Sequence, residues 1–430
     1  MSRPVVLVLA GGASNRFWPL RDKPLVELGS QTLLERHLRL LYQAGCERFI
    51  VVSRPETASQ IEVIGAAVDL DPATGPGPLV RVAVQDEPRG MADAVLAARE
   101  LLLEVGDEPV YVTQAQDVVE GRLHADLLDR WQRTPGLAGL VAAQRVSSYF
   151  PGGYLTFEGG YVTSVIEKPG EGSEPSDLVN LVAHVFASAR GLVEALDTEA
   201  AVPGPDDAYE RALSKMMASG RFQAHVYEGR WQALKYPWHL LDVADMLLDL
   251  WTSGAESPGE GYEQREDGVF IGRDVRVFPG AHVAPPALIG HGSLVGHNAL
   301  VRESILGSRC VAGFGSEVAR SVLFEGVELH HNYVGDSVFD RGSAMGYGAV
   351  TANFRIDDRT VPSVVAGERL DTGRMKLGLM LGANARIGVN TSTMPGVKIG
   401  AGAMVGPSMN VTRDVPAGAR VLDESEYGRF

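Results

Sequence analysis

A glycine pair at the end of an apolar run is the first feature of this sequence that could bind a ligand. Residues 5–10 are apolar throughout, which predicts a buried parallel strand, and Gly11 and Gly12 follow directly. Two cations come next, at Arg16 and Lys23. A strand that ends in a glycine-rich turn with cations beyond it can hold nucleotide phosphates, because backbone amides and positive charge both attract phosphate oxygens. The alternative is a surface loop with two solvated cations.

The elements that would position this loop alternate between strand and helix patterns. Leu34, Leu38 and Leu41 recur on one helical face before Gly45. Further strands are predicted at residues 48–53, 80–84 and 109–113, and a further helix at residues 92–103. This rhythm predicts a doubly wound α/β sheet, in which ligands lie beyond the carboxyl ends of the strands. Asp117 also follows a strand, so we expect it at the same edge as the glycine pair.

Composition limits the classes of function. A chain of 430 residues predicts two domains, and the net charge of -15 disfavours nucleic acid and anionic membranes as partners. Cys46 and Cys310 lie far apart and fit neither a metal site nor a disulfide framework, which predicts free thiols in a reducing compartment. The sequence has neither a signal-peptide pattern nor a long apolar run, so we expect a cytoplasmic protein.

A second pattern follows a polar segment at residues 253–268, which is rich in glycine and glutamate and is predicted to be a linker. Aliphatic residues then recur every six positions, at Ile271, Val277, Val283, Ile289, Val295 and Val301. After an irregular middle the period returns at Ile387, Ile399, Val405 and Val411, with Thr393 in phase. A period of six predicts a hexapeptide β-helix, whereas a β-sandwich would show a period of two. The predicted organisation is an α/β domain at 1–252, the linker, a β-helix at 269–415 and a tail at 416–430.

These patterns together resemble the sugar-1-phosphate nucleotidylyltransferases that carry a C-terminal left-handed β-helix. That group includes the bacterial bifunctional N-acetylglucosamine-1-phosphate uridylyltransferase/glucosamine-1-phosphate acetyltransferase and its archaeal sugar-1-phosphate counterparts. In the family the first strand ends in L-A-G-G-x-G-T-R with K-P soon after; here it reads LAGGASNR, followed by Lys23-Pro24. The resemblance implies a Rossmann-like α/β nucleotidyltransferase domain followed by a left-handed parallel β-helix.

The resemblance also implies a reaction, in which a nucleotidyl group passes from UTP or dTTP to a sugar-1-phosphate and pyrophosphate leaves. Backbone amides of Ala10, Gly11 and Gly12 would hold the β- and γ-phosphates. Arg16 would neutralise charge on the departing pyrophosphate, and Lys23 would lie near the α-phosphate and the sugar phosphate.

The next motifs concern the base and the metal ion. QDEPRGM matches the family's Q-x-E-x-x-G-T, so Gln85 and Gly90 would face the base, while Met91 replaces a threonine and leaves the base undetermined. The resemblance assigns Mg²⁺ to Asp117, although a lone aspartate after a strand is often a helix cap. Related chains have a further carboxylate in W-x-D-x-x-x-P-W-D, where this chain has Ala233 and then His239. The metal ion would then depend on one aspartate and the substrate phosphates.

A hairpin motif concerns the sugar. FPGGYLTFEGGYVTSVIEKP resembles the family's Y-G-x-V…I-x-E-K segment. By that resemblance Gly153 would approach the sugar closely, Glu167 would accept hydrogen bonds from its hydroxyls and Lys168 would meet its phosphate. Asn180 matches an asparagine that contacts the sugar. The alternative is a plain hairpin with a solvated Glu-Lys pair.

The middle of the repeat region resembles the acetyl-transfer motif of the bifunctional relatives. LHHNYVGD aligns His330 with the family's general base and Tyr333 with its tyrosine, and Asn353 matches a later asparagine. His330 would take a proton from a sugar amine as its nitrogen attacks acetyl-CoA, and Asn353 would orient either the acceptor or the tetrahedral oxygen. Lys376 matches a basic position that would meet a phosphate. The alternatives are ordinary surface histidines and a solvated lysine, and Tyr347 would narrow the groove for acetyl-CoA.

The resemblance further implies a homotrimer. Its partners would be a nucleoside triphosphate and a sugar-1-phosphate, with Mg²⁺ as cofactor and acetyl-CoA as a second substrate. Ala233 keeps two alternatives open. One is a protein that only transfers acetyl groups. The other is a non-catalytic regulatory or scaffold protein that binds a nucleotide sugar.

Overall fold

The structure is a computed structural model that describes residues 3–12, 14–68, 79–202, 207–266 and 268–423. It contains two compact units. The first comprises residues 1–13 and 34–231, and the second comprises residues 14–33 and 232–430. Arg16 and Lys23 therefore group with the second unit. The domain bounds derived from the sequence stay a prediction.

A mixed sheet forms the centre of the first unit. Within the described residues it has nine strands, in the order Leu79–Val84, Arg48–Ser53, Val5–Leu9, Val110–Gln114, Leu178–Phe186, Gly139–Arg145, Phe222–Tyr227, Tyr161–Glu167 and Gly153–Glu158. The first four are parallel, which confirms the predicted α/β sheet. Val5–Leu9 is buried at every position, as a central parallel strand between two helical layers must be.

The other half of the sheet is mostly antiparallel. Leu178–Phe186 runs antiparallel to both of its principal neighbours, and its register shifts between Leu181 and His184. Gly153–Glu158 and Tyr161–Glu167 form the predicted hairpin, in which Gly153 pairs with Glu167. This hairpin and the shifted strand position the candidate sugar residues.

Helices cover this sheet. They span Leu33–Gln43, Ala58–Ala67, Met91–Ala97, Arg99–Val105, Arg122–Arg133, Ala189–Ala200 and Ala208–Ser219. Residues 92–103 were predicted as one helix, but the chain turns at Ala98, whose amide reaches back to Val95, three residues earlier, at 3.0 Å. Leu102, Leu192 and Leu213 are among the residues that form the apolar core against the sheet.

The second unit begins with the cationic segment, residues 14–33. It contains the 3-10 turns Asn15–Phe17 and Lys23–Leu25 and the short paired strands Glu27–Leu28 and Gln31–Thr32. The amide of Ser30 donates to the carbonyl of Pro258 at 2.9 Å, and Nζ of Lys398 lies 5.5 Å from the centre of the Trp18 ring. The segment therefore packs on the repeat region within this unit. A helix spans His239–Thr252 in this unit. The short strand Asp117–Val119 belongs to the first unit, and the short strand Trp231–Ala233 lies where the chain passes from the first unit to the second.

Parallel strands build most of the rest of the second unit, and Glu263–Glu266 joins them antiparallel to Val269–Ile271. In the described part of the chain, one sheet contains Glu263–Glu266, Val269–Ile271, His282–Ile289, Leu300–Leu306, Glu317–Ala319, Val322–Leu323, Tyr333–Gly335, Val338–Phe339, Val350–Thr351, Met380–Leu381, Ser392–Thr393, Lys398–Ile399 and Asn410–Val411. The other contains Arg276–Val277, Leu294–Val295, Val311–Ala312, Glu328–Leu329, Ala344–Met345, Arg386–Ile387, Met404–Val405 and Arg420–Val421. Curled parallel sheets of this kind are consistent with the predicted left-handed β-helix.

The strand register explains where the six-residue period fails. Ile271 pairs with Ile289, three periods later, and Ile387 likewise pairs with Val405. In the middle the coils are shorter, because Val318 pairs with Val334, only 16 residues later. The next coil carries an insertion with the hairpin Pro362–Val365 and Glu368–Asp371, so that Met345 pairs with Ile387. Buried aliphatic residues continue along most of the coils, but Val277, predicted as part of the repeat, is 42% exposed.

None of the helices in the described ranges is long and apolar enough to cross a bilayer.

Candidate functional site

Several predicted nucleotide-binding residues lie at the carboxyl edge of the first unit's parallel strands. Leu9 is paired with Gln114, so the residues after each strand leave the sheet side by side. The amide of Ala10 donates to Val52 at 2.8 Å, and that of Gln85 donates to Ser53 at 2.8 Å. Hydrogen bonds to the neighbouring strand therefore fix the backbone where Gly11 and Gln85 begin their turns.

The side chain of Gln85 packs against the glycine pair. It is 3% exposed, and a Cβ placed on Gly11 would lie 3.0 Å from its Oε1 atom. Its Nε2 group donates to the carbonyl of Gly90 at 3.3 Å and to Oδ2 of Asp93 at 2.7 Å. Because the amide nitrogen is occupied, Gln85 has only its oxygen left for a ligand. Sequence reasoning missed Asp93, which lies two residues after Met91.

Space for a ligand remains next to this cluster. Gly12 is exposed, and a Cβ there would meet no atom of the described residues within 4 Å. Nε2 of Gln116 donates to Oε1 of Gln114 at 2.7 Å, and Nε2 of Gln114 lies 3.6 Å from Sδ of Met91. The amides of Gln114 and Gln116 thus lie at the end of the strand Val110–Gln114, just before Asp117 begins its short strand. Their only signal in the sequence is their position at the end of a strand.

The donor set fits a loosely held magnesium ion. Across the described ranges there is no group of three or more His, Cys, Asp and Glu side chains that could hold a metal ion. In the first unit, Asp117 is half-buried. Within the second unit, Nδ1 of His239 donates to the carbonyl of Ala233 at 2.7 Å. Burial lowers the pKa of His239, which keeps its ring neutral. Mg²⁺ often binds through one or two carboxylates plus substrate phosphates and water, and Asp117 meets that minimum.

The two predicted catalytic cations lie in the cationic segment. Arg16 is exposed in the turn Asn15–Phe17, and Lys23 is half-buried in the turn Lys23–Leu25. Nζ of Lys23 lies 5.5 Å from the centre of the Phe17 ring. This contact ties the two turns together, so that both cations belong to one small folded segment.

Three of the predicted sugar residues converge in the first unit. A Cβ placed on Gly153 would lie 3.2 Å from Oε2 of Glu167 and 3.8 Å from Cβ of Asn180. Nζ of Lys168 lies 3.0 Å from Oε1 of Glu167, and both side chains are well exposed. The antiparallel register places Gly153 opposite Glu167, which is why these residues meet. The cluster offers a carboxylate, an ammonium and an amide around a glycine without a side chain.

A buried histidine holds the amide of Asn180. Nε2 of His184 lies 3.0 Å from Oδ1 of Asn180, and Nδ1 of His184 lies 2.8 Å from the hydroxyl of Tyr209. His184 is 0% exposed, and burial lowers its pKa to about 3, so the ring is neutral at neutral pH. Sequence reasoning missed His184 and Tyr209, because nothing in their spacing links them to Asn180.

The second candidate site lies in the β-helix. Nδ2 of Asn353 donates to the hydroxyl of Tyr333 at 3.1 Å and to Oδ2 of Asp336. Nε and Nη2 of Arg320 donate to the two oxygens of Asp336, each at 2.8 Å. Asp336 is 3% exposed, and it raises the pKa of Arg320, which keeps the pair charged. A bidentate ion pair therefore holds the carboxylate that binds Asn353.

The backbone brings Lys376 close to the same asparagine. Phe354 and Lys376 form an antiparallel bridge, and the amide of Leu377 donates to the carbonyl of Asn353 at 2.9 Å. The side chain of Lys376 is exposed. A Cβ on Gly335 would lie 2.6 Å from both Nδ2 of Asn353 and the hydroxyl of Tyr333, so only glycine fits beneath this pair.

The two adjacent histidines have different surroundings. His331 stacks between Phe314 and Tyr347, with ring centres 5.8 Å and 4.9 Å away. Its Nδ1 atom lies 3.1 Å from the carbonyl of Phe314. The ring of His330 is exposed and makes no hydrogen bond to the rest of the described chain. Of the two, His330 is thus the one whose nitrogens are available to a ligand.

Comparison with known proteins agrees with this architecture. Residues 6–99 match the family model of the MobA-like NTP transferase domain. A bifunctional sugar-1-phosphate nucleotidylyltransferase/acetyltransferase of Sulfurisphaera tokodaii is 28% identical over 96% of this chain and 98% of its own length. The bifunctional protein GlmU of Methanococcus maripaludis is 26% identical over 98% of this chain and 97% of its own, and that of a Bradyrhizobium species is 26% identical over 98% and 94%. The chain thus begins with an MobA-like NTP transferase domain and is homologous over nearly its full length to the bifunctional sugar-1-phosphate nucleotidylyltransferase/acetyltransferases.

Proposed function

We propose that the chain transfers a nucleotidyl group from UTP or dTTP to a sugar-1-phosphate, releasing pyrophosphate. An oxygen of the sugar phosphate attacks the α-phosphate in line, and the bond to the β-phosphate oxygen breaks. The observation that carries the proposal is the convergence of Gly153, Glu167 and Asn180. A carboxylate, which accepts hydrogen bonds, and an amide lie next to a glycine, which has no side chain to fill the space between them. The matching full-length relatives support the same general reaction.

Positioning and charge neutralisation supply most of the rate in such a transfer. Backbone amides of Gly11 and Gly12 hold the β- and γ-phosphates. The predicted contribution of the Ala10 amide is wrong, because that N–H donates to the carbonyl of Val52. Arg16 takes up charge on the leaving pyrophosphate, and Lys23 meets the α-phosphate.

The remaining contacts position the base, the metal ion and the sugar. The oxygen of Gln85 and the backbone of Gly90 face the base. Asp117 would hold a Mg²⁺ ion, which would neutralise phosphate charge when bound. Glu167 accepts from sugar hydroxyls, and Lys168 meets the sugar phosphate.

We further propose acetyl transfer in the β-helix, on the basis of the network that joins Tyr333, Asp336 and Asn353. His330 takes a proton from the amine of an amino-sugar-1-phosphate as its nitrogen attacks the thioester carbon of acetyl-CoA, and the thiolate leaves. Because Nδ2 of Asn353 is occupied, its oxygen faces the ligand. An amide oxygen can accept a hydrogen bond from an amine N–H, but it cannot stabilise an oxyanion. Asn353 therefore orients the amino sugar that receives the acetyl group, and not the tetrahedral oxygen. Lys376 meets a phosphate.

Pyrophosphate release tests the first activity. The full chain is assayed in Mg²⁺ with a panel of nucleoside triphosphates and sugar-1-phosphates. We expect release with UTP or dTTP, and loss of release in Lys23→Ala. Silence across the panel from a folded protein would contradict the proposal and favour an acetyltransferase or a nucleotide-sugar-binding scaffold.

Acetyl-CoA consumption tests the second activity, with glucosamine- or galactosamine-1-phosphate as acceptor. His330→Ala should abolish it, whereas His331→Ala is the matched control, because that ring is held in an aromatic stack. Full acetylation by His330→Ala would show that the base is another group. We also propose a homotrimer, which light scattering would measure directly.

A further inference from the structure

The strand that carries Asn180 also carries the group that orients it. Between Leu181 and His184 the strand shifts its register against Gly139–Arg145. A regular strand would separate residues 180 and 184 by about 13 Å. The shift instead brings Nε2 of His184 within 3.0 Å of Oδ1 of Asn180. The register shift therefore allows the buried imidazole of His184 to contact the amide of Asn180, a predicted sugar-binding residue.

The surroundings of His184 decide which of its nitrogens carries the proton. Nδ1 faces the hydroxyl of Tyr209 at 2.8 Å, and that hydroxyl can donate. Nε2 faces an amide oxygen, which can only accept. A neutral ring satisfies both partners when Tyr209 donates to Nδ1 and Nε2–H donates to Asn180.

We propose that His184 and Tyr209 are positioning residues that fix the amide of Asn180 with its nitrogen toward the sugar-1-phosphate. Nδ2 of Asn180 makes no hydrogen bond within the described residues, and the residue is only half-buried. Beside it lie Gly153, which leaves space, and Glu167, which can only accept when ionised. The site then offers one fixed donor next to one acceptor.

This assignment defines the chemistry that the site selects. The sugar atom that meets Asn180 must be an acceptor, such as a hydroxyl oxygen or an acyl-amide carbonyl. Its neighbour, facing Glu167, must donate. A rotated amide would instead present an oxygen next to the Glu167 carboxylate, so that both groups could only accept. The inference deepens the proposed nucleotidyl transfer and rests on it for the identity of the ligand.

The tautomer of His184 can be measured without any substrate. In ¹⁵N NMR spectra of the full chain, the His184 resonances are those that vanish in His184→Leu. We expect a neutral ring protonated on Nε2. A ring protonated on Nδ1, or one that titrates near neutral pH, would overturn the inference even if nucleotidyl transfer is fully active.

Kinetics and binding test the effect on the sugar. In His184→Leu we expect KM and Kd for the sugar-1-phosphate to rise about tenfold, the scale of one oriented hydrogen bond, with KM for the triphosphate unchanged. His184→Gln should recover most of the loss, because its amide N–H can also donate to Asn180. Asn180→Ala should show the same loss, and the double variant Asn180→Ala/His184→Leu should be no worse than Asn180→Ala alone.

His124→Leu is the matched control. His124 is also a buried histidine of the first unit, and its Nδ1 atom lies 2.8 Å from the hydroxyl of Tyr111. It should lose stability and keep the parent's affinity for the sugar-1-phosphate. Equal losses in His184→Leu and His124→Leu, additive losses in the double variant, or a parent that binds no sugar-1-phosphate would each overturn the inference. Absence of pyrophosphate release with intact binding would instead refute only the proposed reaction.

Discussion

The two candidate sites each contain an asparagine, and the structure fixes the two amides in opposite senses. Asn180 in the first unit has its oxygen bound by His184, so its nitrogen faces outward. Asn353 in the β-helix has its nitrogen bound by Asp336 and Tyr333, so its oxygen faces outward. One residue type thus serves as a donor in one site and as an acceptor in the other, depending on which groups bind its side-chain amide.

The groups behind the two asparagines also differ in charge. His184 is buried and neutral, and its partners are a hydroxyl and an amide. Asp336 is buried and charged, and Arg320 binds both of its oxygens. Protonation abolishes the neutral form of His184, whereas removal of either Asp336 or Arg320 abolishes the ion pair. We therefore expect different treatments to inactivate the two sites, and the following predictions test this difference.

Acid should weaken the first unit most. Burial lowers the pKa of His124 and of His184 to about 3, and their pKa in the unfolded chain is about 6.5. The unfolded chain then binds more protons below about pH 6.5, so stability is fully present above that pH and falls as the pH approaches 3. We expect a loss of about 2 kcal/mol for each histidine at about pH 5. Hydrogen exchange resolved by strand measures it.

The control for this prediction is His124→Leu, whose stability should depend less steeply on pH than that of the parent. The histidines of the β-helix at positions 282, 297 and 330 are exposed, so strands of the second unit should keep more of their protection. Equal loss in both units would contradict the comparison.

Asp336→Ala should have the next largest effect. It leaves Arg320, whose side chain is 28% exposed, without its partner, and it frees Nδ2 of Asn353. We expect a loss of about 3 kcal/mol in the free energy of unfolding, together with the loss of acetyl transfer. Denaturant unfolding and acetyl-CoA consumption measure the two effects, and pyrophosphate release should persist.

Glu325→Gln is the matched control for Asp336→Ala. Glu325 pairs with Arg309 on the same β-helix, but the two side chains are 46% and 69% exposed. An exposed pair contributes at most about 1 kcal/mol, so this variant should resemble the parent in stability and acetyl transfer. If the two variants behave alike, the Asp336 network is not what holds the second site.

Gly153 lies beside Asn180 and Gly335 lies beside Asn353, so the same substitution can be made at both sites. In Gly153→Ala the new Cβ would lie 2.6 Å from Cγ1 of Val165, and in Gly335→Ala it would lie 2.6 Å from Nδ2 of Asn353. Overpacking of this kind costs about 1–3 kcal/mol. We expect Gly153→Ala to raise KM for the sugar-1-phosphate in nucleotidyl transfer and Gly335→Ala to reduce acetyl transfer, each without effect on the other activity. Loss of both activities in either variant would contradict independent sites.

The smallest expected effect is that of Tyr347→Ala. The ring is 58% exposed and stacks on His331, with ring centres 4.9 Å apart. Loss of the stack should cost about 0.5–1 kcal/mol and remove a side chain that narrows the predicted acetyl-CoA groove. KM for acetyl-CoA should fall while KM for the amino sugar stays constant. A higher KM for acetyl-CoA would mean that the ring contacts this substrate.

Local patterns in the sequence predicted the elements better than their connections. The strand at residues 48–53 was predicted from its apolar run, because a buried strand is apolar, whereas the hairpin before Lys168 was predicted from its resemblance to the family motif. The break at Ala98 and the short coil from Val318 to Val334 were not predicted, because both change the register by one or two residues without changing which residues are apolar. Motif resemblance singled out Gly153, Glu167 and Asn180, and the structure brings these three together.

The sequence by itself determined two kinds of architecture and the residue types available to each site. A period of six can only be satisfied by a stacked ladder, and apolar strands alternating with helices can only be buried in a layered sheet. Only the tertiary structure decided which atoms of Asn180 and Asn353 face outward. The controlling partners lie elsewhere in the chain, since Tyr209 is 25 residues from His184 and Arg320 is 16 residues from Asp336. Such hydrogen bonds depend on distances and angles between packed elements, which no spacing along the chain encodes.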